Sequence, residues 1–390
     1  MASAVTGKQN GMVETAFDVA NRETESLDES QIFWWGLLGH SLATLLKDSQ
    51  YSIQDQLYYL RWFQQWILRS LGPRPINGQP YHPSTFTHDG SPVEFSLNWK
   101  EKKFTQTVRF TTEPLSQDSG RTADPLNQVP AQQLLTAMAK TIPGIDLTRF
   151  NLLLEETNVP HQAAEDVLAK IPPGHPKVRV VVAYDLEDGT LVPKAYFNLE
   201  PKAIHMGTSP SNVVFDALSK CNGPFGSYDA SAEVLRSYLA SRDGPGGPQV
   251  YLLSHDCVAD SPRSRAKVYV MTPITTLAAA LDAFSIGGAL SGPVIEGGLQ
   301  AVRSFWRHTF DTDVEDRVVL PAGSRCIFVY EMRPMAPNQQ GPNIEVKMHM
   351  PGLWLGQTDT KVCEVLSTWF QKHGHSDFGA RYQTSMASAL

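Results

Sequence analysis

Several short runs of this 390-residue chain set basic side chains and tyrosines two residues apart. In RAKVYV, Arg265, Lys267 and Tyr269 alternate with Ala266, Val268 and Val270. Lys194 and Tyr196 have the same spacing in PKAYF, and Glu345, Lys347 and His349 repeat it in NIEVKMHM. Arg109 follows Thr105 and Thr107 at steps of two, and Glu94 precedes Ser96 and Asn98. Side chains two apart on a strand share a face, so each run predicts one apolar and one polar, mostly cationic face. Taken singly, a half-polar strand is ordinarily just solvated. The repeated pairing of a cation with a tyrosine, in a chain of net charge −7, points instead to a focused anion site. A diphosphate suits it. Guanidinium forks bind oxygen pairs, ammonium groups add point charges, and phenols donate further bonds.

The usual phosphate devices are missing from the sequence. It holds no GxxxxGK[ST] loop, no GxGxxG between a strand and a helix, and no paired-aspartate motif for a magnesium-bridged diphosphate. The acidic run Asp311, Asp313, Glu315, Asp316 follows a helical pattern at the wrong spacing and is expected to cap or solvate a loop. Protein cations would then neutralise the diphosphate, with no metal and no further cofactor. The acidic balance argues against a nucleic-acid surface. Four scattered cysteines predict reduced thiols in a cytoplasmic protein. The most apolar stretch, 275–299, is broken by Asp282, Pro293 and several glycines, so no membrane span is expected.

The elements that must position these residues recur in a fixed order. Residues 1–28 read as a flexible leader, and 29–390 as one domain. Helical spacing over Ile32–Leu46 and Gln56–Leu71 precedes strand-like runs Pro92–Trp99 and Phe104–Phe110. Helices near 129–140 and 146–156 precede Val178–Leu186 and Leu191–Leu199, whose connection carries an Asp-Gly hairpin signal. Helices near 211–220 and 229–241 precede Gln249–Cys257 and Arg265–Thr272, and helices near 274–283 and 295–308 precede Arg325–Arg333 and Asn343–Met350. A last helix near 359–373 leads to a short tail containing Tyr382. Repeated helix-helix-strand-strand units predict an α+β fold with an antiparallel sheet and helices on one face. Four units and a partial fifth would close the sheet into a barrel inside a ring of helices.

With these residues in place, the chain resembles the fungal aromatic prenyltransferase family of the dimethylallyltryptophan synthase type. The resemblance runs from about Trp34 to about Asp359. It rests on the opening WW, LGPRP, SPVEFSLNW, VRFTTEP, PKAYF and SRAKVYV taken in order. It implies a closed antiparallel ten-stranded barrel, and transfer of a dimethylallyl group from dimethylallyl diphosphate to an aromatic carbon of an indole-type or phenolic acceptor. It also implies roles. Arg109, Lys194, Arg265, Lys267, Lys347 and His349 would bind diphosphate; Tyr196, Tyr269 and Tyr382 would shield the allyl cation; Glu94 would hold the acceptor's N–H or O–H.

Three positions depart from the family pattern. His349 stands where a tyrosine is common. Val181 takes the place of a lysine found in tryptophan-C4 members, which weakens that regiochemistry. The paired tyrosines of the tail are reduced to Tyr382. Two other functions compete, a non-catalytic barrel carrying an apolar aromatic ligand and a terpene-type cyclase or diphosphate hydrolase. The expected partners are small molecules, and the protein a monomer or homodimer.

Overall fold

The computed structural model describes residues 14–389 apart from 83, 101, 102, 188, 190, 337, 338 and 340. Eight strands pair in chain order, every neighbour antiparallel: β1 Val93–Lys100, β2 Lys103–Thr112, β3 Val180–Asp185, β4 Lys194–Asn198, β5 Gln249–Asp256, β6 Ala266–Pro273, β7 Arg325–Met332 and β8 Ile344–His349. Hairpins join β1 to β2, β3 to β4, β5 to β6 and β7 to β8, and helices make the other connections. All hairpins therefore lie at one end of the curled sheet and all helical crossings at the other.

One face of the sheet packs on the helices. Phe110 of β2 sits among Trp62, Phe63, Phe95 and Tyr184, with its ring centroid 5.1–6.3 Å from theirs. The first two rings come from α3 (Ile53–Trp62) and the π-helical turn after it, Phe63–Ile67. The longer α2 (Glu29–Asp48) lays Trp34, Trp35, Leu38, Leu42 and Leu46 into the same core at helical spacing. Asp28 caps it: its carboxylate accepts the Gln31 N–H at 2.9 Å, and the Gln31 side chain reaches back. The remaining helices run α4 (Val129–Ala139), α5 (Thr148–Thr157), α6 (His161–Lys170), α7 (Glu200–Met206), α8 (Pro210–Lys220), α9 (Asp229–Ala240), α10 (Leu277–Phe284), α11 (Pro293–Phe310), α12 (Asp359–Lys372) and α13 (Ser376–Ala389). The main core cluster draws on residues from Ala16 to Ala389, with smaller clusters around Val159 and around Phe370.

Three expectations change. Residues 1–13 of the expected leader lie outside the described residues, but Ala16–Arg22 form helix α1, with Ala16 and Ala20 buried and Phe17 stacked on Trp35 at 5.5 Å. Helices α6 and α7 were not legible as elements, being short and weakly apolar. The closed ten-stranded barrel is not what the described residues form: they make an eight-stranded open sheet, and the tail is helical. Ser376–Ala389 has no period-two alternation and is rich in alanine, so it folds as α13, packed on α12 and on α2. No helix among the described residues is long and apolar enough to cross a membrane.

Because Phe110 is 1% exposed and meets four other rings, Phe110→Ala should cost about 3–5 kcal/mol in urea unfolding. Its side chain points away from the concave face, so a loss under 1 kcal/mol would mean that this cluster is not the core, since burial of that many ring contacts sets roughly the larger figure.

Candidate active site

The other face of the sheet is concave and carries the charge. Its residues form a cross-strand series that alternates in sign from β2 to β7 and ends on two acids. Arg109 on β2 stands opposite Asp185 on β3, and Lys194 on β4 opposite Asp256 on β5. Lys267 on β6 is opposite Glu331 on β7, which in turn faces Glu345 on β8. Lys194 Nζ lies 2.5 Å from Asp185, and Arg109 Nε lies 3.0 Å from the same carboxylate but is not aligned for a hydrogen bond. Asp256 receives Lys267 at 2.8 Å and Arg265 at 2.7 Å. Glu331, whose side chain is 1% exposed, gathers Arg333 and Lys347 at 2.9 Å and Arg265 at 3.3 Å. Arg333 also reaches Glu345 at 3.0 Å.

Within this ion-paired cluster, six cations against four carboxylates leave two positive charges in excess. Burial opposes ionisation of Asp256, but Lys267 and Arg265 outweigh it and hold the carboxyl far below its usual range. Glu331 is lowered in the same way: burial works against it, and its hydrogen bond and charge contact with Lys347, then Arg265, prevail. Burial pushes Lys267 down to about 8, against the attraction of Asp256. The carboxylates thus hold fixed, closely spaced cations ready for a ligand with more than one negative charge.

Aromatic groups lie on the same face, beside the charges. Tyr196 and Tyr269 meet edge to face at 5.6 Å, and Tyr269 meets His349 at 6.2 Å. Burial raises both phenols, so both stay protonated donors. His349 is pushed down by burial and by Lys347 and Arg109, so it presents a neutral imidazole. The Ser254 hydroxyl, paired across the ladders with Tyr196 and Lys267, is buried with no hydrogen-bond partner among the described residues.

Glu94 lies near the opposite end, where β1 begins, with Thr111 facing it on β2. Its carboxylate is open to the concavity, yet the surrounding wall raises it above the ordinary carboxylate range with no basic group offsetting the effect. Val181 faces Tyr196 on the β3–β4 ladder and brings no titratable group to the wall.

Nine of the ten residues expected from the sequence therefore share the concave face: Glu94, Arg109, Lys194, Tyr196, Arg265, Lys267, Tyr269, Lys347 and His349. Tyr382 does not. It sits on α13 with Phe370, Phe378 and Trp99, 5.4–6.4 Å away, on the side of β1 turned to the helices. The helical tail takes it away from the cations, so a cation-shielding place for Tyr382 is corrected. The acidic run Asp311–Asp316 is tied to helix α11: Asp313 pairs with Arg307 at 2.5 Å, and Glu315 with Arg303.

Sequence reasoning missed the acids that hold the cations (Asp185, Asp256, Glu331), together with Arg333 and Tyr251. The acids carried a signal, since each stands at step two from a neighbouring inward residue or directly across a predicted hairpin. Tyr251 carried none. A β-bulge between Val250 and Leu252 interrupts β5, so Tyr251 and Leu252 both fall between the outward Val250 and Leu253.

Comparison with known proteins assigns this arrangement to a class. The sequence profile described as tryptophan dimethylallyltransferase matches residues 30–385. The chain belongs to that family and is an aromatic prenyltransferase. It is 44% identical to prenyltransferase iacE of Pestalotiopsis fici over 99% of this chain and 90% of that protein. It is 30% identical to 7-dimethylallyltryptophan synthase hasE of Aspergillus fumigatus over 88% and 74%. In fold it is similar to AnaPT from Neosartorya fischeri, with a TM-score of 0.82 at 22% identity, covering 95% of this chain and 88% of that one. NotF in complex with brevianamide F and DMSPP gives a TM-score of 0.79 at 21% identity over 95% and 89%.

Lys267 gives the site a pH signature. Its ammonium form is present below the lowered value of about 8 and is lost above it, so an anion held by this side chain would bind more weakly there. The KM for a prenyl diphosphate should be flat from pH 7 to 7.5 and climb towards about tenfold per pH unit above 8. A KM that stays flat to pH 9.5 would remove Lys267 from the anion site. Glu331→Gln should lower Tm in the absence of ligand, by leaving Arg265, Arg333 and Lys347 facing one another. It should also enlarge the stabilisation given by inorganic diphosphate, read by thermal unfolding with and without that anion.

Proposed function

We propose that the enzyme transfers a dimethylallyl group from dimethylallyl diphosphate to an aromatic carbon without a metal ion. One observation carries the reading. Four cations (Arg109, Lys194, Arg265 and Lys267), joined by Arg333 and Lys347, stand on one concave face around a pair of tyrosines packed edge to face, already charge-paired and fixed.

The chemistry follows from that order of groups. The cations bind the diphosphate and stabilise the charge that develops as its allylic C–O bond breaks. The electron pair leaves with the diphosphate, and the five-carbon allyl cation stays beside Tyr196 and Tyr269. Each ring face stabilises it by about 1–2 kcal/mol where water is excluded. Glu94 accepts the hydrogen bond of the acceptor's N–H or O–H and pushes electron density into the ring. The ring carbon attacks the cation, and loss of its proton restores aromaticity. Indole-type and phenolic acceptors both supply such a donor.

The closed barrel implied by the family resemblance belongs to this proposal. Water would quench the cation to an alcohol, so the chamber must be dry. Bringing the edge of β8 to the edge of β1 would shield the face that carries Lys347 and His349 from water. A single domain and a cytoplasmic setting suit the same reading.

The test is prenyl transfer from dimethylallyl diphosphate to a panel of indoles, cyclic dipeptides and phenols in EDTA, read by mass spectrometry. The expected result is a product heavier by one prenyl unit. Glu94→Gln should lower kcat by about 100-fold or more while diphosphate affinity stays within about twofold, since a positioned base is worth that much. Strict dependence on a divalent metal, or an alcohol as the main product, would favour the hydrolase reading instead.

A further inference from the structure

Resting on the transferase reading above, we propose that the acceptor is an uncharged aromatic without a free carboxylate, seated between Glu94 and Tyr251. The argument begins with the two ends of the sheet. Asp185, Lys194, Asp256, Lys267, Glu331 and Glu345 all lie at or near the hairpin end, where their strands begin or finish. Each basic residue described there is committed to one or more carboxylates. Glu94 lies at the other end, two residues into β1, and Tyr251 lies there too, three residues into β5.

The bulge in β5 turns Tyr251 onto the concave face, and the charges of Glu94 and Glu200 both act on its phenol. Burial first, then those two carboxylates, pushes the phenol up to about 12, so it stays a hydrogen-bond donor. Glu200 is itself held by His175 at 2.8 Å. The nearest cation to Glu94 along the ladders is Arg109, which faces Ser96, two residues on from Glu94. Its guanidinium is drawn to Asp185 on the far side. His349 is held neutral.

The seat therefore offers one acceptor carboxylate, one phenol and apolar wall from Val181 and Leu252; the cation in the Leu252 row, Arg179, is fully buried and spends its guanidinium on the oxygens of Gln128, Thr157 and Asn198. An acceptor bearing its own carboxylate would be placed beside Glu94 with no fixed counter-charge, which is unfavourable in an enclosed, poorly solvated space. A neutral N–H or O–H arene satisfies Glu94 directly, and a phenol oxygen or side-chain carbonyl on it can accept from Tyr251. The family profile is described by tryptophan, a free amino acid. This seat is unlike one built for that substrate.

The test uses a pair of acceptors that differ by one charge, indole-3-propionate and indole-3-propionamide, with a neutral dihydroxynaphthalene as the phenolic case. Binding is measured by calorimetry on the full chain saturated with unreactive dimethylallyl thiolodiphosphate, and turnover with dimethylallyl diphosphate. The amide should bind, and its kcat/KM should exceed that of the propionate by about 100-fold, the scale at which a site rejects a group it cannot pair. Tyr251→Phe should raise the KM of the dihydroxynaphthalene several-fold and leave that of dimethylallyl diphosphate unchanged. Propionate and amide within about threefold of each other would overturn the inference, because an unpaired charge costs far more than that. Failure of both neutral compounds to bind would overturn it as well. Preferential binding of the amide without any turnover would uphold the uncharged seat and count against the transferase reading alone.

Discussion

Like charges crowded on one concave surface repel, and the architecture of this enzyme follows from how that repulsion is relieved. Six basic side chains line a single face, and each is near an acid on an adjacent strand. Antiparallel pairing makes this possible, because directly opposed residues sit about 5 Å apart and neighbouring strands can alternate in sign. Asp256 and Glu331 are the central members. Each is buried, and each is shared by at least two cations. With the acids in place the cations are fixed before any anion arrives, so an anion bound there would demand little reorganisation.

The same constraint explains the strand register. A slip of one residue would turn every cation of a strand into the helical layer, where it would have no partner. Strands β6 and β7 pair over eight consecutive positions, which fixes Lys267 opposite Glu331. The helix-facing side contributes by bulk, and Phe110, Phe63, Tyr184 and Trp62 leave no room for an alternative pairing.

Much of this was legible in the sequence because a strand's period of two is simple. Lys194 with Tyr196, and Lys267 with Tyr269, could be placed on one face from spacing alone, and the repeat of two helices and two strands gave the antiparallel order. The carboxylate partners were harder to see. Asp185 and Asp256 close their strands just before hairpin loops, where acids commonly mark turns, and Glu331 lies in a run that reads as apolar, IFVYEM. The tail failed for another reason. One tyrosine in a segment of weak periodicity left its secondary structure open, and helix formation moved Tyr382 across the sheet. Tyr251 was hidden by the bulge, which breaks the alternation used to assign every other wall residue.

That bulge gives the concave wall a property that residue identity does not capture. The direction of Tyr251 depends on the number of residues between Val250 and Leu253, an even count where regular pleating calls for an odd one. Loss of one residue there would restore the alternation and leave a single inward position in place of two, with no substitution anywhere in the wall. Gain of a residue would have a similar reach. In this part of the molecule length polymorphism is a route to a new binding profile, while the charge-paired strands beyond it keep their phase.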